Sequence, residues 1–235
     1  MKLINDTFVV VSDYNVLPDN IEDSWVHKFC NNYLIYDRAH RWEESNNTKR
    51  QLNLGQNIYD IFDFILTHYD NIPDYTAFCR AAIMNPKDNG SGKKNNGNCS
   101  EENFIKFVNQ KAFTELHDFG PEVHDGFSSK FGPDGSYLEY NNSWYFNHVQ
   151  SKYFNNYNTF LQHIYVNPEL PEYIRFSPGG CYVIPKENIL KYSKKFYEYL
   201  RYLLSWDVVV GEAHMLERAL YTIFTCNYTV QPEFI

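Results

Sequence analysis

The apolar pattern opens with a continuous β-branched run, Thr7-Phe8-Val9-Val10-Val11-Ser12, which predicts a buried parallel strand. It ends in Asp13-Tyr14-Asn15, polar residues at a strand's carboxyl end, where open α/β sheets place ligands. A helix is predicted over residues 22–30. Tyr33-Leu34-Ile35-Tyr36 reads as a second strand, again closed by an acid, Asp37. The charged stretch 38–51 reads as a loop. From residue 56 to 69, apolar side chains recur at 58, 61, 62, 65 and 66, the spacing of an amphipathic helix. That helix opens from Leu52-Asn53-Leu54-Gly55-Gln56-Asn57, an Asn-x-Gly turn, and residues 75–79 follow as a third strand. Strand, helix, strand, helix, strand predicts an α/β domain with a mostly parallel central sheet flanked by helices.

Further along the pattern loosens. Residues 85–98 are rich in Gly and Asn and read as a mobile loop, after which Ser100 caps a helix carrying Glu101 and Glu102 in its first turn. Residues 117–147 show no period and read as a functional excursion or several short strands. Order returns at Gly179-Gly180-Cys181-Tyr182-Val183-Ile184, a strand entered through two glycines. Pro185 then fits the first position of a long helix with Ile189, Phe196, Leu200 and Leu203 on its core side. An apolar strand, Val208-Val209-Val210, leads through Gly211 into a last helix over residues 212–224.

Composition narrows the function classes. The chain has 235 residues and a formal net charge of -8, with no basic stripe to neutralise phosphates, which argues against nucleic acid. Lys93-Lys94 is too short to change that. The 20 Tyr and 18 Phe fit either an AT-rich coding sequence or rings that stack on sugars. The five cysteines are scattered, with no CxxC pair, so reduced thiols in a cytoplasmic compartment are expected. The amino terminus lacks an apolar leader, and no run reaches the roughly 20 residues of a membrane span. A soluble protein is expected.

Three blocks carry a family resemblance. They are the Asn53-x-Gly55 turn with its helix and His68-Tyr69-Asp70-Asn71-Ile72-Pro73-Asp74-Tyr75-Thr76-Ala77-Phe78, then Phe176-Ser177-Pro178-Gly179-Gly180-Cys181-Tyr182-Val183-Ile184, and Met215-Leu216-Glu217-Arg218 with Ile223-Phe224. Together they resemble DUF3431, a family of uncharacterised proteins. The same blocks also look like GT-A glycosyltransferases, whose fold is Rossmann-related. That likeness implies one GT-A-like domain: residues 1–84 as the nucleotide-binding half, 85–175 as an irregular excursion, and 176–235 as the acceptor side with the C-terminal helices. It implies a nucleotide-sugar donor near Asp13, Asn15, Asp37, Asn53, Gly55 and Gln56, and a glycan or polysaccharide acceptor near Gly179 and Gly180. GT-A enzymes usually hold a divalent ion, Mn2+ or Mg2+, with Asp-x-Asp. This chain has no Asp-x-Asp, and the expected position reads Cys79-Arg80-Ala81-Ala82. Arg80 or Lys87 would then neutralise the diphosphate without metal, or donor binding has been lost and a glycan- or nucleotide-binding protein is left on the same scaffold.

Sugar transfer needs a carboxylate to deprotonate the acceptor and positive charge at the departing phosphate. Glu212, at the start of the last helix, is the first candidate base, and Glu217 the second; each is equally readable as a structural acid. On a helical wheel they flank the apolar face, with Arg218 pointing away. The Gly55 turn can offer backbone N–H groups to a phosphate or simply satisfy turn geometry. His214 reads as a metal ligand or a surface histidine. His117-Asp118 with His124-Asp125 reads as a cation site or a polar loop. Trp144, Tyr145 and Phe146 can stack on an acceptor sugar or be buried. No nucleophile elbow or P-loop appears.

Overall fold

The computed structural model describes residues 2–84, 97–119, 128–143 and 148–235. The first half runs β1 (Phe8–Asp13), α1 (Trp25–Phe29), β2 (Tyr33–Asp37), β3 (Thr48–Arg50), α2 (Gln56–His68), β4 (Tyr75–Arg80), α3 (Glu101–Val108) and β5 (Thr114–Glu115). Then come β6 (Ser129–Phe131), β7 (Tyr137–Tyr140), α4 (Tyr157–Ile164), β8 (Tyr173–Arg175) and β9 (Tyr182–Pro185). Three helices close the chain: α5 (Lys186–Ile189), α6 (Lys194–Leu203) and α7 (Gly211–Thr225). These elements fall into two compact units that alternate along the sequence.

The first unit comprises Met1–Asn53, Ile72–Phe119 and Cys181–Lys186. It holds a six-stranded sheet of order β3-β2-β1-β4-β9-β5. Strands β3, β2, β1 and β4 are parallel, while β9 runs antiparallel to both β4 and β5. Val9 and Val11, Tyr33 and Ile35, Ala77 and Cys79, and Cys181 and Val183 alternate onto one face. There they meet Val26 of α1 with Phe104 and Val108 of α3, so the β-branched run read from the sequence is a central strand. Each valine, isoleucine or phenylalanine among them contributes about 1.5–3 kcal/mol when fully buried.

The second unit comprises Leu54–Asn71, Gly120–Gly180 and Glu187–Ile235. It holds α2, α4, α6 and α7 with a three-stranded antiparallel sheet, β6-β7-β8. Ile58, Ile61, Phe62, Ile65 and Leu66 of α2 are buried as the periodicity predicts, but Asp60, Asp63 and Phe64 are buried as well. Asp63 pairs with Arg201 of α6 at 2.8 Å. Tyr165, Tyr192, Phe196 and Tyr197 pack ring against ring, and the Tyr165 and Tyr192 hydroxyls lie 3.0 Å apart. Much of the aromatic excess therefore builds core.

Several local expectations are corrected. The helix expected over 22–30 is split, because the Ser24 hydroxyl donates to Ile21 O and accepts from the His27 N–H, ending a 3-10 turn and starting α1. The loop at 38–51 contains β3, whose polar residues suit an edge strand. Pro185 is the last residue of β9 and leads directly into α5, but the long helix expected from it is split, because Ser193 starts α6 separately by capping the Phe196 N–H. Val208 and Val209 are exposed and form no strand. The unpredicted α4 is fixed by a capping box between Asn156 and Thr159. Residues 85–96, most of the stretch expected to be mobile, lie outside the described residues.

Candidate functional site

In the first unit the parallel strands end in a row. Asp13 closes β1, Asp37 closes β2 in register beside it, and Arg80 closes β4 on the other side. Strand order reverses at β1, so its carboxyl end is a switch point, the place where open α/β sheets bind ligands. Both carboxylates are fully buried and organise the loops that follow them. Asp13 Oδ1 accepts from the N–H groups of Val16 and Leu17 at 3.1 and 2.9 Å, and Oδ2 receives Arg41 Nη2 at 2.5 Å. Asp37 accepts from Ala39 N–H at 3.2 Å and Trp42 N–H at 2.7 Å.

What this edge presents is the turn those anchors shape. Tyr14, Asn15 and Val16 are exposed, and Asn15 sits in the left-handed region at φ 58°. Arg38 Nε donates to Asn53 Oδ1 at 3.2 Å, which places Asn53 in the same unit. Arg80 Nη2 donates to Asn98 Oδ1 at 2.7 Å. The edge thus combines guanidinium groups, an exposed tyrosine and amide side chains. A guanidinium at the end of β4, with both neighbouring carboxylates already engaged, does not fit a divalent ion. Among the described residues no group of three or more His, Cys, Asp or Glu could hold a metal.

Most of the other candidates lie in the second unit. The helix start at Gly55 is a packed joint. The Gly55 N–H donates to Asp207 O at 2.9 Å, and the Gln56 N–H to Val208 O at 3.2 Å, so neither donor is left for a phosphate. A Cβ on Gly55 would lie 2.5 Å from Leu204 Cβ, which is why glycine stands there. Gly180 is likewise a packing glycine, facing Ile58 and Leu220. Trp144, Tyr145, Phe146, Lys87, Lys93-Lys94 and His124-Asp125 lie outside the described residues. Asp118 is taken up by α3, accepting from Ser100 N–H and Asn103 Nδ2.

Helix α7 is buried nearly all round, which overturns the wheel's placement of Arg218. Its guanidinium grips Glu139 of β7 through two parallel bonds of 2.9 Å and reaches Glu217 Oε2 at 2.7 Å. Glu217 Oε1 accepts the Gly179 N–H at 2.5 Å, joining two residues singled out from sequence. His214 is buried, with Nδ1 3.8 Å from Glu217. Burial acts to raise the Glu217 carboxyl, but Arg218, His214 and the Gly179 N–H outweigh it and hold it below its ordinary range. Glu212 is 1% exposed. Its Oε1 accepts from Ser151 Oγ, Lys152 N–H and Tyr153 N–H, each at 2.7 Å, and Oε2 from Trp206 Nε1 at 3.3 Å. This carboxylate is the anchor of a loop.

Sequence reading missed Arg38, Arg41 and Glu139. The signal for the first two was a basic run directly after an acid-ended strand; Glu139 had none, because it sits on a short strand in an aperiodic stretch.

Fold and edge define an α/β protein with a parallel-strand switch point bordered by guanidinium groups. It belongs to the DUF3431 family, proteins of unknown function, whose sequence profile matches residues 15–233. No curated protein and no solved structure matches the chain. Among the described residues no helix is long and apolar enough to cross a membrane.

Proposed function

We propose that the protein is a glycosyltransferase that binds a nucleotide-sugar donor at the carboxyl edge of β1, β2 and β4 and passes the sugar to a glycan acceptor. The strand order carries this reading: a reversal at β1, then an antiparallel β9 beside β4, with Arg80 at the end of β4. A guanidinium there would stabilise the departing nucleoside diphosphate electrostatically, the task an Asp-x-Asp-bound ion performs elsewhere. Tyr14 offers a ring face to a base or ribose.

One observation favours a second reading, a nucleotide- or glycan-binding protein without transfer activity. Both acids chosen as base are engaged, Glu212 by four donors and Glu217 by Gly179 and Arg218. A thermal-shift panel of UDP-, GDP-, CMP- and dTDP-sugars, with and without manganese, tests both. Stabilisation by one nucleotide class, lost in Arg80→Ala, supports a donor site, and release of free nucleotide on adding acceptor glycans supports transfer. Stabilisation by an oligosaccharide alone would leave only glycan binding. No stabilisation by any of them would refute both readings.

A further inference from the structure

Gln51 follows β3 at the same carboxyl edge, one strand beyond Asp37, and is 9% exposed. Its N–H donates to Asp37 O at 3.1 Å, and its carbonyl oxygen lies 3.0 Å from His40 Nε2. The side chain is oriented by a third bond, because Oε1 accepts the Leu52 N–H at 3.0 Å. That bond commits the oxygen end of the carboxamide and leaves Nε2 as the other end. Nε2 is buried and, among the described residues, donates to no acceptor. Arg41 Nε, from the loop that binds Asp13, is in the same condition.

Buried N–H donors are nearly always paired, so two of them at one sheet edge point to an acceptor supplied from outside. A phosphate is disfavoured beside Gln51, since the Asp37 carboxylate lies on the adjacent strand end. A neutral keto oxygen suits an amide N–H2. The span from β1 to β3 is two strand spacings, about 10 Å, comparable to the length of a nucleoside laid along the edge from the switch point. Apolar side chains border that path: Tyr14, Val16 and Leu52 are 58%, 55% and 62% exposed.

We propose that Gln51 reads the nucleobase of the bound nucleotide, donating from Nε2 to a ring carbonyl and so selecting keto bases over amino bases. The proposal rests on the nucleotide-site reading above. Because Oε1 is already an acceptor for Leu52, the carboxamide cannot turn to greet an exocyclic amino group without breaking that bond. Nε2 is covered, so the base edge reaches it as the segment over it yields, a common adjustment at binding loops.

Calorimetric titration of the full chain with two matched pairs tests this: UDP against CDP, and inosine diphosphate against ADP. Within each pair the bases differ chiefly in a keto oxygen replaced by an amino group. The keto member of whichever ring size fits should bind about tenfold tighter, the usual penalty for leaving a buried donor unpaired. Gln51→Glu, which removes the donor at nearly constant shape, should abolish or reverse the preference; Gln51→Met should abolish it. Equal binding within both pairs, or a keto preference that survives in a natively folded Gln51→Glu, would overturn Gln51's role while leaving the nucleotide site intact. Should Gln51→Glu fail to fold, the wild-type pairs and Gln51→Met still decide. If no nucleotide binds, the nucleotide-site reading and this one fail together.

Discussion

Glu212→Gln is the substitution that best separates a catalytic acid from a structural one. In the structure one carboxylate oxygen collects three donors at 2.7 Å, two of them the successive backbone N–H groups of Lys152 and Tyr153. Next to it, the Gly211 N–H donates to Gln150 O at 2.7 Å, and a Cβ on Gly211 would press on Ser151 at 2.8 Å. The start of α7 is therefore a socket for residues 150–153. Hydrogen bonds to a charged acceptor contribute about 1.5–3 kcal/mol each, against about 0.5–1.5 for neutral ones. Neutralising the acceptor of three bonds, and turning an amide N–H2 toward the Trp206 indole, should destabilise the unit by about 2–4 kcal/mol. Urea unfolding followed by tryptophan fluorescence measures the loss, and hydrogen exchange locates it. Lys152 and Tyr153 amides should exchange at least about tenfold faster, as about 1.4 kcal/mol of lost protection implies. A variant within about 0.5 kcal/mol of wild type, with those two amides unchanged, would refute the socket. Intact stability together with abolished turnover would restore Glu212 as a catalytic candidate.

Three further outcomes are expected. Gly55→Ala combines a left-handed φ of 55° with a Cβ 2.9 Å from Leu204 O, so thermal unfolding should show a loss of about 2–5 kcal/mol; a neutral result would mean the joint with residues 204–208 is not tight. The Glu217 carboxyl, held below its ordinary range in the folded state, favours folding above the unfolded-state pKa of about 4.3, and that contribution disappears as pH falls through the folded value. Wild type should thus lose more stability than Glu217→Gln between pH 6 and pH 3, and equal losses would contradict the network. Cys226 is half-buried whereas Cys30, Cys79, Cys99 and Cys181 are buried, with burial pushing the Cys30 thiol up to about 12; a disulfide reagent on native protein should therefore label Cys226 first and the others only on unfolding.

Much of the scaffold was legible because its signals are local. The run Val9-Val10-Val11, preceded by Thr7 and Phe8, reads as a strand buried on both faces, and β1 is that strand, whereas the second valine run, Val208-Val209-Val210, forms none. Ile58 to Leu66 recur at helical spacing, and α2 buries them. The irregular middle was opaque for a physical reason: β6, β7 and β8 are three or four residues long, too short to show a period, and β7 gains its second partner, β8, from more than thirty residues along the chain. The wheel failed for Arg218 because it assumes water beyond the apolar face. Here Glu139, from a distant strand, supplies the countercharge that lets a guanidinium be buried.

By itself the sequence determined the α/β class, the parallel strand run, the DUF3431 resemblance and the carboxyl-edge residues Asp13, Asp37 and Arg80, all consequences of pattern and strand order. Only the tertiary structure decided which partners each polar group has. It set the Glu212 carboxylate on the 151–153 loop, packed Gly55 against Leu204, and brought Glu217 to Gly179. A side chain's role depends on which donors and acceptors reach it. Those partners lie up to 61 residues away for Glu212 and 79 for Arg218, beyond any local pattern.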